Sequence, residues 1–197
     1  MTLLLKLSQL IDWINERIGK GAFWLVLLMT VISAGNASVR FAFNYSSNGL
    51  LEIQWYLFAA LFILGAAYTL QKNEHVRIDV VAGRFSPKGQ AIIDIIGSLF
   101  FLLPMVVLVL WVSLPLVKDS YQIGEMSDNA GGLIRWPVKA LLPIGFALLA
   151  LQGVSEIIKR IAFLAGRIED PNAKAKGPSA EEELAAAIAA AAAKEGK

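Results

Sequence analysis

Cysteine is absent from the 197 residues, which removes disulfides, thiolate nucleophiles and thiolate metal sites together and leaves the compartment open. Histidine occurs once, as His75, so a paired-histidine haem site or a multi-histidine zinc site within one chain is excluded. Charge is also scarce. Asp, Glu, Lys and Arg make up 17% of the chain and the net charge is +2, too little to point to nucleic acid. A soluble domain of this size needs a polar surface that such a composition does not supply.

What is present is apolar: 56% of residues are hydrophobic and the mean hydropathy is +0.59. Four apolar runs predict transmembrane helices at about 21–43, 51–71, 88–116 and 137–162. At about 1.5 Å of rise per residue, some 20 residues cross a hydrocarbon core of roughly 30 Å. Four such helices leave too little polar chain to cover them in water. The expected fold is therefore all-α and integral to the membrane, with a four-helix membrane domain over 21–166.

Lys and Arg fall unevenly around these runs. Leaving aside Lys194 and Lys197 of the tail, twelve lie before the first span, between the second and third, or at the end of the fourth and just beyond it, including Lys20, Lys72, Arg84, Lys159 and Arg160; four, namely Arg40, Lys118, Arg135 and Lys139, lie on the opposite side. The positive-inside rule places the richer side, and both termini, in the cytoplasm.

The opening segment 1–20 carries Asp12 and Glu16 where an export signal would be apolar, and shows no cleavage pattern. Leu3, Leu7, Leu10, Ile11, Ile14 and Ile18 recur at helical spacing, with Lys6, Gln9, Asp12, Asn15, Glu16 and Lys20 largely opposite. The pattern predicts an amphipathic helix in the membrane interface with Trp13 as anchor; the alternative is an extended first transmembrane helix. At the other end, 167–197 comprises a linker, "EDPNAKAKGPSA", and an alanine-rich tail in which Ser179 and Glu182 have capping-box spacing.

Ionisable groups within or beside a span need partners, because hydrocarbon does not solvate charge. Glu52, followed by Gln54, Trp55 and Tyr56, either snorkels to the interface beside an aromatic belt or pairs with a cation such as Arg40. Asp94 is expected to face protein. Ser86 and Pro87 predict a capped start for the third span, Pro104 and Pro143 predict bends, and Trp136-Pro137 predicts an interface anchor followed by a helix start. Small residues at Gly65, Ala66, Ala67 and Gly97 allow close helix approach to a partner.

The stretch "AYTLQKNEHVRIDV", Ala67–Val80, passes from apolar to charged within a few residues. His75 and Asp79 stand at i, i+4 with Glu74 adjacent, spacing that suits a hydrogen-bonded pair. A nucleophile or second base is missing and a metal requires more ligands. We therefore expect no catalytic, cofactor or metal site here. Arg77 fits the charge rule, and the segment reads as a membrane-surface elbow.

The run "LEIQWYLFAALFILGAAYTLQKNEHVRIDVVAGRFSP", with Glu52, Trp55, Gly65, Ala66, Ala67, His75, Arg77 and Asp79 in order, resembles the signature of the DctQ-like small membrane subunits of tripartite ATP-independent periplasmic (TRAP) transporters. The resemblance continues through "IGEMSDNAGGLIRWPVKALLPIGFALLALQGVSEIIKR" and covers roughly 7–160. It implies a subunit of a sodium-driven secondary transporter in the bacterial inner membrane, importing an organic acid. The implied partners are a large membrane subunit, a periplasmic substrate-binding protein and membrane lipids, with no cofactor. It also implies that the small subunit packs on the scaffold of the large one. Two other classes compete: a stand-alone homo-oligomeric channel, and a small membrane enzyme using His75 and Asp79.

Overall fold

The computed structural model describes residues 2–73 and 85–171. Four helices account for most of them: α1 (Thr2–Phe43), α2 (Asn48–Lys72), α3 (Pro87–Gln122) and α4 (Trp136–Leu164). All four are long and apolar enough to cross a membrane. Helix α4 is central, packing against the other three, whereas α3 packs chiefly on α4.

Burial is reversed relative to a water-soluble bundle. The large side chains point outward, with Trp24, Phe62, Phe101 and Trp111 about 70% exposed or more. Apart from Ile11 and Val106, the buried positions are small or polar, among them Ala60, Ala67, Ala91, Ala162, Ser113, Ser120, Ser155 and Gln152. Lipid tails are as apolar as leucine, so burying Leu or Phe between helices gains little in a bilayer; close backbone approach and polar contacts decide the packing. Gly145 shows how close that approach is. A Cβ added there would lie 2.8 Å from the carbonyl oxygen of Ile63, so α2 and α4 would have to separate. Gly145→Ala is expected to lower stability in detergent by about 1–3 kcal/mol, measured by thermal denaturation. Adding Ile63→Ala should not fully rescue it, because part of the clash is with backbone.

Helix α1 runs unbroken from Thr2 to Phe43 over 42 residues, about 63 Å at 1.5 Å per residue. The predicted boundary at residue 20 is not a break, so this part of the chain is an extended first helix and not a separate one. Its polar face is not turned wholly to water either. Ser8, Ile11, Asn15, Gly19 and Ala22 are buried, while Leu3, Leu7, Leu10 and Trp13 are exposed. Helix α4 supplies polar groups that match the polar face of α1.

Helix α3 begins as its sequence predicts: Ser86 accepts a hydrogen bond from the Gly89 amide at 3.3 Å and Pro87 occupies the first turn. It then widens into a π turn at Ser98–Leu102, where the Leu103 amide donates to Ser98 O. Pro104 follows at once. A proline lacks the amide hydrogen and its ring crowds the carbonyl four residues earlier, here that of Phe100; the wider turn relieves that conflict. Pro115 and Pro143 lie inside their helices.

Candidate functional site

Two polar centres stand at opposite ends of the bundle. The first is built on Glu52, one turn into α2 and 4% exposed. Its Oε1 accepts from Asn129 Nδ2 at 2.7 Å and, through a very short bond, from Ser127 Oγ; its Oε2 accepts from the Leu133 amide at 2.8 Å. Glu52 thus neither snorkels nor pairs with Arg40. It gathers the connection between α3 and α4, about 75 residues further along the chain. That connection folds back on itself, with Ser127 N donating to Leu133 O at 3.0 Å, Arg135 N to Glu125 O at 2.9 Å, and positive φ at Gly124 and Gly131. Asn48 Nδ2 and Tyr56 Oη tie it further to α2 through Ala130 O and Ile134 O.

Beside this loop, Lys139 of α4 donates to Glu125. The ammonium group holds the Glu125 carboxyl below its ordinary value of 4.5. A carboxylate depressed in this way contributes stability above its unfolded pKa and loses it as pH falls through the lower folded one. Lys139→Ala should therefore raise the midpoint of Glu125 in a pH titration followed by carboxyl NMR.

The second centre joins α1, α3 and α4. Asp12 Oδ1 accepts from Gln152 Nε2 at 2.9 Å and Ser155 Oγ at 2.8 Å, and its Oδ2 from Lys159 Nζ at 3.0 Å. Lys159 also donates to Glu156 at 2.5 Å. Arg160 donates from Nε to Asp94 at 2.8 Å and from Nη1 to the other oxygen of Glu156. Asn15 Nδ2 reaches Gln152 Oε1 at 2.7 Å, and the hydroxyls of Ser8 and Ser155 lie 2.7 Å apart. Three carboxylates and two cations are linked to one another across three helices. Asp94 does face protein, as expected, and its partner is Arg160. Lys159 and Arg160, expected as charges beyond the fourth span, lie within α4 and pair with Asp12, Asp94 and Glu156.

Sequence reasoning did not assemble this network, although its signal is visible. Gln152, Ser155, Glu156, Lys159 and Arg160 fall at i, i+3, i+4, i+7 and i+8, and Ser8, Asp12 and Asn15 at i, i+4 and i+7, each a single helical face. Its members bond to one another, which suits fastening helices better than holding cargo.

The remaining predicted positions behave differently. Trp55 is 68% exposed, and Trp136 meets Tyr121 edge-to-face at 5.5 Å. Among the described residues, nothing lies within 4 Å of a Cβ added at Gly65, and the same holds for Gly97. His75, Arg77 and Asp79 lie outside the described residues, as does the alanine-rich tail. Among the described residues, no group of three or more His, Cys, Asp or Glu is placed to hold a metal ion.

Comparison with known proteins gives two findings. The family model for the DctQ component of tripartite ATP-independent periplasmic transporters matches residues 29–163. A Haemophilus influenzae protein named as a TRAP transporter small permease is 30% identical over 97 residues, which are 49% of this chain and 60% of that protein. The chain thus spans about 60% of the length of the curated relative it matches.

Proposed function

Because the chain belongs to the DctQ family of tripartite ATP-independent periplasmic transporter components, we propose that it packs on a large membrane subunit and stabilises that subunit's scaffold. In this reading the assembled transporter imports an organic acid across the bacterial inner membrane, driven by a sodium gradient and supplied by a periplasmic binding protein. Both termini of the small subunit are cytoplasmic. The observation that carries the proposal is the division of polarity: the charged groups of the two polar centres bond within the chain while large apolar side chains face outward on α1, α2 and α3. A carrier needs polar groups left open to its cargo near the middle of the bilayer. A scaffold needs an apolar exterior and fixed helices.

The charge asymmetry supports the orientation, since the loop-borne Lys and Arg of the richer side still outnumber those opposite after Lys159 and Arg160 are assigned to ion pairs. Purification in mild detergent from the native host tests the assembly. We expect a larger membrane protein to accompany this chain in stoichiometric amount. Binding assays on the accompanying periplasmic protein would identify the acid. Isolation of the chain alone, from membranes that contain the large subunit, would count against the proposal.

A further inference from the structure

Trp13, Arg17, Lys20 and Trp24 follow one another at i, i+4, i+7 and i+11 along α1, the spacing of a single helical face. With Glu16 and Gly21 they line an open groove of about 490 Å³. Trp13 and Trp24 are 56% and 70% exposed. The Arg17 guanidinium stands 5.5 Å above the Trp13 ring. Glu16, the one carboxylate in the groove, lies 2.7 Å from Lys20 and 4.0 Å from Lys72. Among the described residues, three cations, Arg17, Lys20 and Lys72, therefore surround a single anion and leave an excess of two positive charges.

The depth of this cluster is set by helix geometry. Lys20 and Arg40 are separated by about 30 Å along α1, the thickness of the hydrocarbon core. When Arg40 lies at one boundary, Lys20 lies at the other, from which its side chain extends to the level of lipid phosphates. Trp24 then sits just inside that level and Trp13 beyond it, bracketing the cations with two rings of the kind that settle at a membrane interface. We propose that this groove binds the phosphate of an anionic phospholipid, with Arg17 and Lys20 as the direct partners, Lys72 adding charge, and the two tryptophans holding the glycerol and headgroup zone. The site requires only that α1 cross a membrane, so its failure leaves the family assignment untouched.

Native mass spectrometry of the full chain in mild detergent, with phosphatidylglycerol and phosphatidylcholine at equal concentration, tests it. The unmodified chain should retain phosphatidylglycerol preferentially. Arg17→Gln with Lys20→Gln should lower that preference about 20- to 30-fold, since each basic residue near an anionic surface contributes roughly fivefold. Both side chains are outside the interhelical packing, so the melting temperature should hold. Glu16→Gln removes the repelling carboxylate and should raise retention, a gain that loss of folding does not mimic. Lys118→Gln, in α3, should change nothing. An unchanged lipid ratio in the Arg17/Lys20 and Glu16 variants overturns the proposal. So does displacement of phosphatidylglycerol by millimolar inorganic phosphate, which would mark a site for small anions.

Discussion

Arg160→Met is expected to destabilise the bundle by about 3–5 kcal/mol, the usual cost of leaving buried charges without their partner. Arg160 is 5% exposed and bonds both Asp94 and Glu156. With methionine in its place, Asp94 loses the guanidinium that joins α3 to α4, and Glu156 keeps only Lys159 and Gln152. A loss of that size is a large part of the 5–15 kcal/mol that holds a typical domain together. The effect should not be additive. Arg160→Met combined with Asp94→Leu removes the Asp94 carboxylate as well, and replacing both members of a buried pair by apolar groups is often close to neutral. Denaturation in mixed detergent micelles measures both variants. The explanation fails if the single variant costs under about 1 kcal/mol, or if the double variant is no better than the single one.

Glu52→Ala should act locally. Ser127, Asn129 and the Leu133 amide lose their common acceptor, and a donor left unpaired next to the membrane finds no equivalent there. The connection from Ile123 to Arg135 should open while the four helices persist. Hydrogen exchange at the Leu133 amide should quicken by about 10- to 100-fold, with helical circular dichroism nearly unchanged. Glu52→Gln keeps one carbonyl oxygen and should fall between. If exchange at Leu133 is unaffected by either change, the carboxylate is not what gathers the loop. Contacts through Asn48 and Tyr56 would then be holding it.

These two centres differ in how far the sequence announces them. The spans are legible because hydrocarbon demands about 20 apolar residues in a row, a local property read off any window of chain. The start of α3 is legible for the same reason, since Ser86 and Pro87 act within one turn. Asp94 was recognisable as a group needing a protein partner, yet that partner lies 66 residues away in α4. Glu52 shows the limit more sharply. Arg40 was the natural candidate because it is the nearest cation across a short connection. Three neutral donors from a distant loop took its place, and their approach depends on how α3 and α4 turn, which no local pattern encodes. Continuity of α1 was likewise hidden. Gly19 is needed where Tyr68 of α2 packs, an added Cβ there falling against its Cγ and 2.5 Å from its Cβ. The polar face of residues 8–15 looked ready for water because the matching face of α4 was not yet beside it.

The division between fastening and carrying is tested most directly by flux. Liposomes holding the purified chain alone should accumulate no radiolabelled organic acid under an inward sodium gradient. Liposomes holding it together with the large membrane subunit, and supplied with the periplasmic binding protein, should accumulate the acid that this protein binds. Uptake by the chain alone at a rate comparable to the full assembly would contradict the account, because helices whose polar groups are occupied with one another would then have to open a path for cargo.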